Sequence, residues 1–212
     1  MSLSPSKVRR GRKFDQVLEG ARQVFMADGF EGASVDDIAR AAEVSKATLY
    51  SYFPDKRLLF LEVANAECGR QSQEAIESID MAAPPEVVLN DVGHRFLRFI
   101  TSTFGMQIFR MCVAESDRFP QIGQQFYNSG PAVMRAEMAQ YFQEAAGRGE
   151  LVIEDYVLAA DQFGELCKAD IWARLIFGVS KSVSDAEIDR VVEGAVATFM
   201  ARYGATAPVA AE

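Results

Sequence analysis

Apolar residues recur at intervals of three and four along most of the chain, the spacing of helices that bury one face. Phe14, Val17, Leu18, Ala21, Val24 and Phe25 mark a first amphipathic helix. Gly29 stands where its C′ residue belongs, and Phe30 where the accompanying hydrophobic contact does. Val35, Ile38, Ala39 and Ala42 outline a second, short helix behind Ser34, a good N-cap with Asp37 three residues on as a variant of the capping box. Glu43-Val44 connects it to a third helix, capped by Ser45, anchored by Leu49 and Phe53 and ended by Pro54. A fourth, longer helix is expected from Asp55 or Lys56 to about Ser78.

Beyond Pro84-Pro85, a helix of about 86–103 carries Val88, Leu89, Val92, Phe96, Leu97 and Ile100. Gly105 is expected to separate it from a helix over 106–117, and Phe119-Pro120 to separate that from the next segment. Pro131 opens a helix through Ala145, ended by Gly147 and Gly149. Two more follow, about 155–177 with a bend near Ala169, and 184–203 with Ser184 and Glu187 as capping box. Only Leu151-Val152-Ile153 hints at a strand, so the chain reads as all-α.

The second and third helices leave Lys46, Ala47, Thr48, Tyr50, Ser51 and Tyr52 facing wholly or partly outward. Small, hydroxylic, cationic and aromatic groups on one short helix suit phosphate oxygens and base edges in a major groove. A helical hairpin without that task is the plain alternative. Two tyrosines on an exposed face argue against it, because aromatic surface is costly to leave in water.

Charge sharpens this reading. The net charge of the 212 residues is −8, which looks wrong for a polyanion binder. Divided, residues 1–57 carry 10 Lys+Arg against 8 Asp+Glu, a net of +2, and residues 58–212 carry 12 against 22, a net of −10. Lys7, Arg9, Arg10, Arg12 and Lys13 form a basic arm ahead of the first helix, although such an arm can also serve as a solubilising tail. No run is long and apolar enough to span a membrane, and the N-terminus lacks the apolar core of a signal peptide. Three distant cysteines, Cys68, Cys112 and Cys167, suit a reducing cytoplasm and read as buried small hydrophobes. With one histidine, His94, and no spaced Cys/His/carboxylate motif, neither a metal nor another cofactor is expected.

Residues of about 14–60 resemble the DNA-binding domain of the TetR family of one-component bacterial repressors. The resemblance rests on Phe25, Gly29, Phe30, Ser34, Val35, Ile38, Ala39, Ala42, Val44, Ser45, Leu49, Tyr50, Tyr52, Phe53 and Lys56. The family's run Gly-Val-Ser-x-x-Thr-Leu-Tyr-x-Tyr-Phe-x-x-Lys is matched from Val44 to Lys56, with Glu43 in place of the first Gly, where a positive φ would disfavour Glu. The stretch Ala114–Leu175, with Glu115-Ser-Asp-Arg-Phe-Pro and Phe163-Gly-Glu-Leu, is similar to the C-terminal domain of AefR-like members. The resemblance implies a basic arm and helix-turn-helix domain over 1–55 and a helical effector-binding and dimerisation domain over 56–205. A disordered tail is expected over 206–212. It implies that Ser45, Lys46, Ala47, Thr48 and Tyr50 meet bases and sugar-phosphate, with Ser34, Tyr52 and Lys56 as phosphate clamps.

The larger domain is rich in Phe and Met at helical spacing. Phe96, Phe99, Met106, Phe109, Met111, Phe126, Met134, Met138 and Trp172, with Phe104 and Phe142 beside them, can be core or can together enclose an apolar effector. His94, Arg98, Gln107, Arg110, Glu115 and Asn128 are possible orienting groups or ordinary surface residues. One short recognition helix covers few base pairs, so a homodimer on a palindromic double-stranded operator is expected, with half-sites roughly 34–36 Å apart or multiples of that. The last two helices, about 155–203, are its expected interface. Leu158, Phe163, Leu166, Leu175, Ile176, Ile188, Val191, Val192, Val196 and Phe199 are more than a single small core needs. The chain is thus expected to be a cytoplasmic transcriptional repressor released by a small, largely apolar effector. Two rivals stand beside it: a constitutive or architectural DNA binder without a ligand, and an all-α enzyme, which the scarcity of His and the lack of a Glu-x-x-His pair disfavour.

Overall fold

Side-chain caps and prolines set where most helices of the computed structural model begin. Residues 11–117 and 119–205 are described, so Lys7, Arg9 and Arg10 of the arm and the tail 206–212 lie outside the described residues. The helices are α1 (Arg12–Gly32), α2 (Val35–Ala41), α3 (Lys46–Tyr52), α4 (Lys56–Ser78), α5 (Pro85–Thr101), α6 (Thr103–Ser116), α7 (Pro120–Ser129), α8 (Pro131–Gly147), α9 (Tyr156–Lys168), α10 (Ile171–Ile176) and α11 (Asp185–Tyr203). Ser34, Ser45, Ser102, Asp155 and Ser184 cap α2, α3, α6, α9 and α11 by accepting from the N–H two or three residues into the helix. Pro85, Pro120 and Pro131 stand in the first turns of α5, α7 and α8, where a missing N–H costs nothing. Strand pairing among the described residues is one isolated bridge, Leu151 to Gly204, so the chain is all-α.

One boundary differs from the sequence expectation, one segment with no predicted element is a helix, and the bend expected near Ala169 is a full break. Gly105 does not separate helices: α6 starts at Thr103 because the Ser102 hydroxyl accepts from Gly105 N–H at 3.0 Å. Glycine is needed there because a Cβ would lie 2.2 Å from the Phe99 carbonyl oxygen across the α5–α6 corner. The segment after Pro120 is a helix in its own right, α7. The long helix of 155–177 is broken in two where Asp170 takes a φ of +63°, with Ala169 extended.

Two apolar clusters organise the chain. One gathers Phe14, Val17, Ala21, Phe25, Ile38, Leu49 and Phe53 of the first three helices with Leu59, Phe60 and Val63 of α4. It also takes in Phe104, Ile108 and Cys112 of α6 and Ile122 of α7. The other packs α5, α8, α9 and α11 around Leu97, Tyr141, Phe142, Phe163, Val192 and Phe199. The core of the first three helices therefore runs through the 55/56 boundary, because α4 turns an apolar face at helical spacing onto α1. Helix α6 touches both α1 and α5 and so belongs to both clusters.

Candidate nucleic-acid interface

The geometry of α3 begins at the turn before it. Glu43 takes a φ of +52°, the left-handed conformation that the substitution of Glu for Gly made costly. The turn is closed by Val44 N–H to Ala39 C=O at 3.0 Å and Glu43 N–H to Arg40 C=O at 3.1 Å. Val44 packs half-buried against the core of the first three helices. Ser45 then accepts from Thr48 N–H at 3.1 Å, and the two hydroxyls are hydrogen-bonded at 2.9 Å. Leu49 and Phe53 are buried and fasten α3 to the core.

What α3 leaves outward is Lys46, Ala47, Tyr50 and Ser51, with Thr48 half-buried. Tyr50 is 48% exposed, whereas Tyr52 is half-buried and meets Phe14 edge-on at 5.8 Å between ring centroids. Lys46 forms an ion pair with Asp36 of α2, which holds its ammonium beside the outer face of the motif. Arg12 and Lys13, the described end of the arm, are exposed at the start of α1. The arrangement offers an ammonium, hydroxyls, a methyl and a phenol from one turn and a half of helix, a set able to contact phosphates and base edges.

Two expected phosphate clamps are already engaged within the chain. Ser34 Oγ accepts from Asp37 N–H at 3.1 Å and donates to the Asp37 carboxylate, which also accepts from Arg40 at 2.7 Å. The Ser34 and Arg40 hydrogen bonds hold the Asp37 carboxyl below its usual range. Lys56 donates to the carbonyls of Phe30 at 2.8 Å and Ala33 at 3.0 Å, with its ammonium 4.3 Å from the centroid of the Phe30 ring. It supplies the basic cap that the last turn of α1 lacks. These bonds use two of its three N–H groups.

Contacts with no sequence signal tie this head to α6 and α4. Gln107 of α6 accepts from Phe30 N–H at 3.2 Å. Arg57 donates to both oxygens of Asp55 and, at 3.0 Å, to Glu115 of α6, and these carboxylates hold its guanidinium more firmly protonated. The buried Glu67 of α4 pairs with Arg70 and lies 3.9 Å from Arg22 of α1. Arg22, with Gln23, also draws the Glu19 carboxyl down to about 2.

The nine apolar residues expected around an effector divide between the clusters. Met106 and Met138 are buried in the body core, with Phe96, Met134 and Trp172 against it. Phe99, Met111 and Phe126 pack on the head core instead. Phe109 spans the seam, 4.9 Å from Trp172 and 6.3 Å from Phe126 between ring centroids. Neither of two surface concavities contains any of the nine. One, of about 680 Å³, lies between α8 and α9 along Ala136, Ala139, Gln140, Gln143, Glu144, Tyr156 and Val157. The other, of about 210 Å³, lies between α1 and α6 along Phe25–Gly29, Thr103, Phe104 and Gln107. Of the possible orienting groups, Arg110 donates to the Leu175 and Ile176 carbonyls, and His94 bridges the Asn90 carbonyl and Asp189.

The apolar residues ascribed to a dimer interface are mostly spent inside the chain. Phe163, Leu175, Ile188, Val191, Val192, Val196 and Phe199 are buried in the body core, and Leu166 and Ile176 pack half-buried against it. Only Leu158 of that group is exposed. Among the described residues, no helix is long and apolar enough to cross a membrane.

Residues 17–63 match the family model described as bacterial regulatory proteins, TetR family, and residues 87–205 match the C-terminal domain of AefR-like transcriptional repressors. A TetR-family transcriptional regulator from Mesorhizobium loti is 29% identical, over 93% of this chain and 100% of that one, with a TM-score of 0.73. The flavonoid-responsive regulator FrrA is 32% identical over the same shares, with a TM-score of 0.66. Among curated relatives, the transcriptional repressor AcnR of Corynebacterium efficiens is 35% identical over 63 residues, which cover 30% of this chain and 34% of that protein. The match thus spans about a third of the length of such a relative.

Proposed function

The chain belongs to the TetR family of bacterial regulatory proteins, and from that premise we propose that it is a cytoplasmic one-component transcriptional regulator, a repressor, that binds a palindromic operator as a homodimer. The observation that carries the reading is the outer face of α3, where Lys46, Ala47, Tyr50 and Ser51 stand clear of a motif fixed from behind by Leu49 and Phe53. Lys46, Ala47, Thr48 and Tyr50 meet the bases and sugar-phosphate, with Ser45 at the helix start. Ser34, Tyr52 and the remaining donor of Lys56 meet phosphates. The net of +2 on residues 1–57 against −10 on the rest turns this face, and not the body, toward a polyanion. The two copies join through α9, α10 and α11.

Release by a small, largely apolar effector is the second part of the proposal. The seam between the clusters, where Phe109 meets Phe126 and Trp172, is its site of entry. An effector there acts only through its differential affinity for two arrangements of the heads. A constitutive DNA binder is the competing reading. It is favoured by one observation: the nine candidate pocket residues pack into two cores and line neither concavity.

Mobility shift on the DNA flanking its own gene tests the regulator reading. Binding that weakens steeply with salt supports it, and failure to retard any such fragment removes it. A thermal-shift screen with apolar small molecules then separates the two regulators. A compound that raises the melting temperature and releases DNA supports the effector, while DNA binding that no compound alters favours the constitutive form.

A further inference from the structure

Phe177 and Val179 are 82% and 76% exposed, on either side of Gly178 in the turn between α10 and α11. The turn is fixed. Gly178 takes a φ of +70°, its N–H donates to the Leu175 carbonyl at 3.1 Å, and Ser180 N–H donates to the Arg174 carbonyl at 3.1 Å. Arg110 of α6 ties the Leu175 carbonyl at 2.7 Å and the Ile176 carbonyl at 3.1 Å. A benzyl and an isopropyl group are therefore held out into water on an anchored backbone, where apolar surface that covers nothing is costly.

The other large exposed apolar residues near α9 lie around its opposite end. Val152, Val157 and Leu158 are all at least half exposed. Val157 borders the groove between α8 and α9, whose walls also include Ala136, Ala139 and Tyr156. Charge distinguishes the two ends. Lys181 follows Val179, and Glu154 and Asp155 precede Val157; none of the three makes an ion pair among the described residues.

We propose that these two ends dock on each other between two copies of the chain. Phe177 of each copy enters the α8–α9 groove of the other, Val179 covers Val157 and Leu158, and Lys181 pairs with the partner's Glu154. An isologous contact allows two directions for α9 against its mate. With α9 helices parallel, Lys181 meets Lys181 and Glu154 meets Glu154. With them antiparallel, knob meets groove and lysine meets carboxylate at both ends, and opposite charges set that register. The inference rests on the homodimer reading and adds to it the residues that fix the pairing.

Sedimentation velocity on the full chain over a dilution series tests it. Phe177→Ser with Val179→Ser is expected to raise the dimer dissociation constant about tenfold or more, because anchored aromatics dominate such contacts. At a concentration where both proteins are monomeric its thermal melting should be unchanged, since within one copy both side chains stand in water. Lys181→Glu and Glu154→Lys should each weaken the dimer, and the two reversals combined should restore it. A wild-type dimer indifferent to the serine pair overturns the docking and leaves the homodimer standing. Failure of the combined reversal to restore affinity overturns the antiparallel register. A wild-type chain that stays monomeric at high concentration overturns the homodimer as well.

Discussion

Gln107 of α6 lies against Gly29 of α1 so closely that a Cβ on the glycine would meet its amide nitrogen at 2.6 Å. Gly29 has a φ of 70° and a ψ of −178°, a conformation essentially restricted to glycine. The kink it makes presents the next N–H, that of Phe30, to the Gln107 carbonyl oxygen at 3.2 Å. Phe30 then stacks on Phe25 at 6.2 Å and meets Phe60 at 5.3 Å between centroids. One glycine thus ends the helical course of α1, seats an aromatic ring and admits α6 to the back of the head.

Gly29→Ala should cost about 1–3 kcal/mol from backbone strain, and Gln107→Ala about 1 kcal/mol from the lost hydrogen bond. The double variant should lose less than the sum, because removing the Gln107 amide removes the three nearest atoms that the new methyl would meet. Urea unfolding of the four proteins checks this. Additive losses would mean that the two residues do not act through their contact.

The opposite sign is expected at Glu43. Its φ of +52° is left-handed, and its side chain is exposed, so little is lost when it is removed. Glu43→Gly should raise stability by about 0.5–1 kcal/mol, the left-handed penalty of an L residue less the added freedom of glycine when unfolded. Equilibrium denaturation gives the number, and a destabilised variant would show that the Glu43 side chain holds the turn in some other way.

Much of the head was legible in the sequence because its signals are local. Ser34, Ser45 and Pro54 punctuate short helices, Gly29 ends a long one, and Leu49 and Phe53 repeat at helical spacing. What the sequence did not carry is which distant partner each face meets. Lys56 reads as a phosphate clamp by resemblance, yet it also caps α1 through two carbonyls more than twenty residues away. The apolar surplus of the last helices resembled an interface, yet α5 and α8 use it within the chain. The Phe and Met residues of the body share one spacing and divide between two cores, since periodicity gives the buried face of a helix but not its neighbour.

Acid sensitivity is expected at the start of α11. Glu187 accepts from Ser184 N–H at 2.9 Å and from Arg174 at 2.9 Å, and these bonds with the Ser184 hydroxyl hold its carboxyl down at about 2. A carboxyl depressed from 4.5 contributes stability fully present above that value, lost as pH falls from about 4.5 toward 2. Glu187→Gln keeps a capping acceptor but removes the charge. Its melting temperature should therefore fall less steeply with pH over that window than the wild type's. Parallel curves would assign the acid response to other carboxylates, such as Glu19, held at about 2 by Arg22 and Gln23.

Lys46 and Lys56 should separate reading from support. Lys46 is exposed and paired only with an exposed Asp36, so Lys46→Ala should change stability by less than about 0.5 kcal/mol. As a DNA contact, its loss should weaken binding across sequences and lower the salt slope by about one. Lys56→Ala removes two half-buried hydrogen bonds and the contact with the Phe30 ring, so it should cost about 1–3 kcal/mol of stability. If the third N–H of Lys56 reaches a phosphate, the salt slope also falls; if Lys56 only supports α1, affinity falls with the slope unchanged. Titrations at several salt concentrations, on variants shown by melting to be folded, distinguish the two. A Lys46→Ala protein with wild-type affinity and slope would remove Lys46 from the interface.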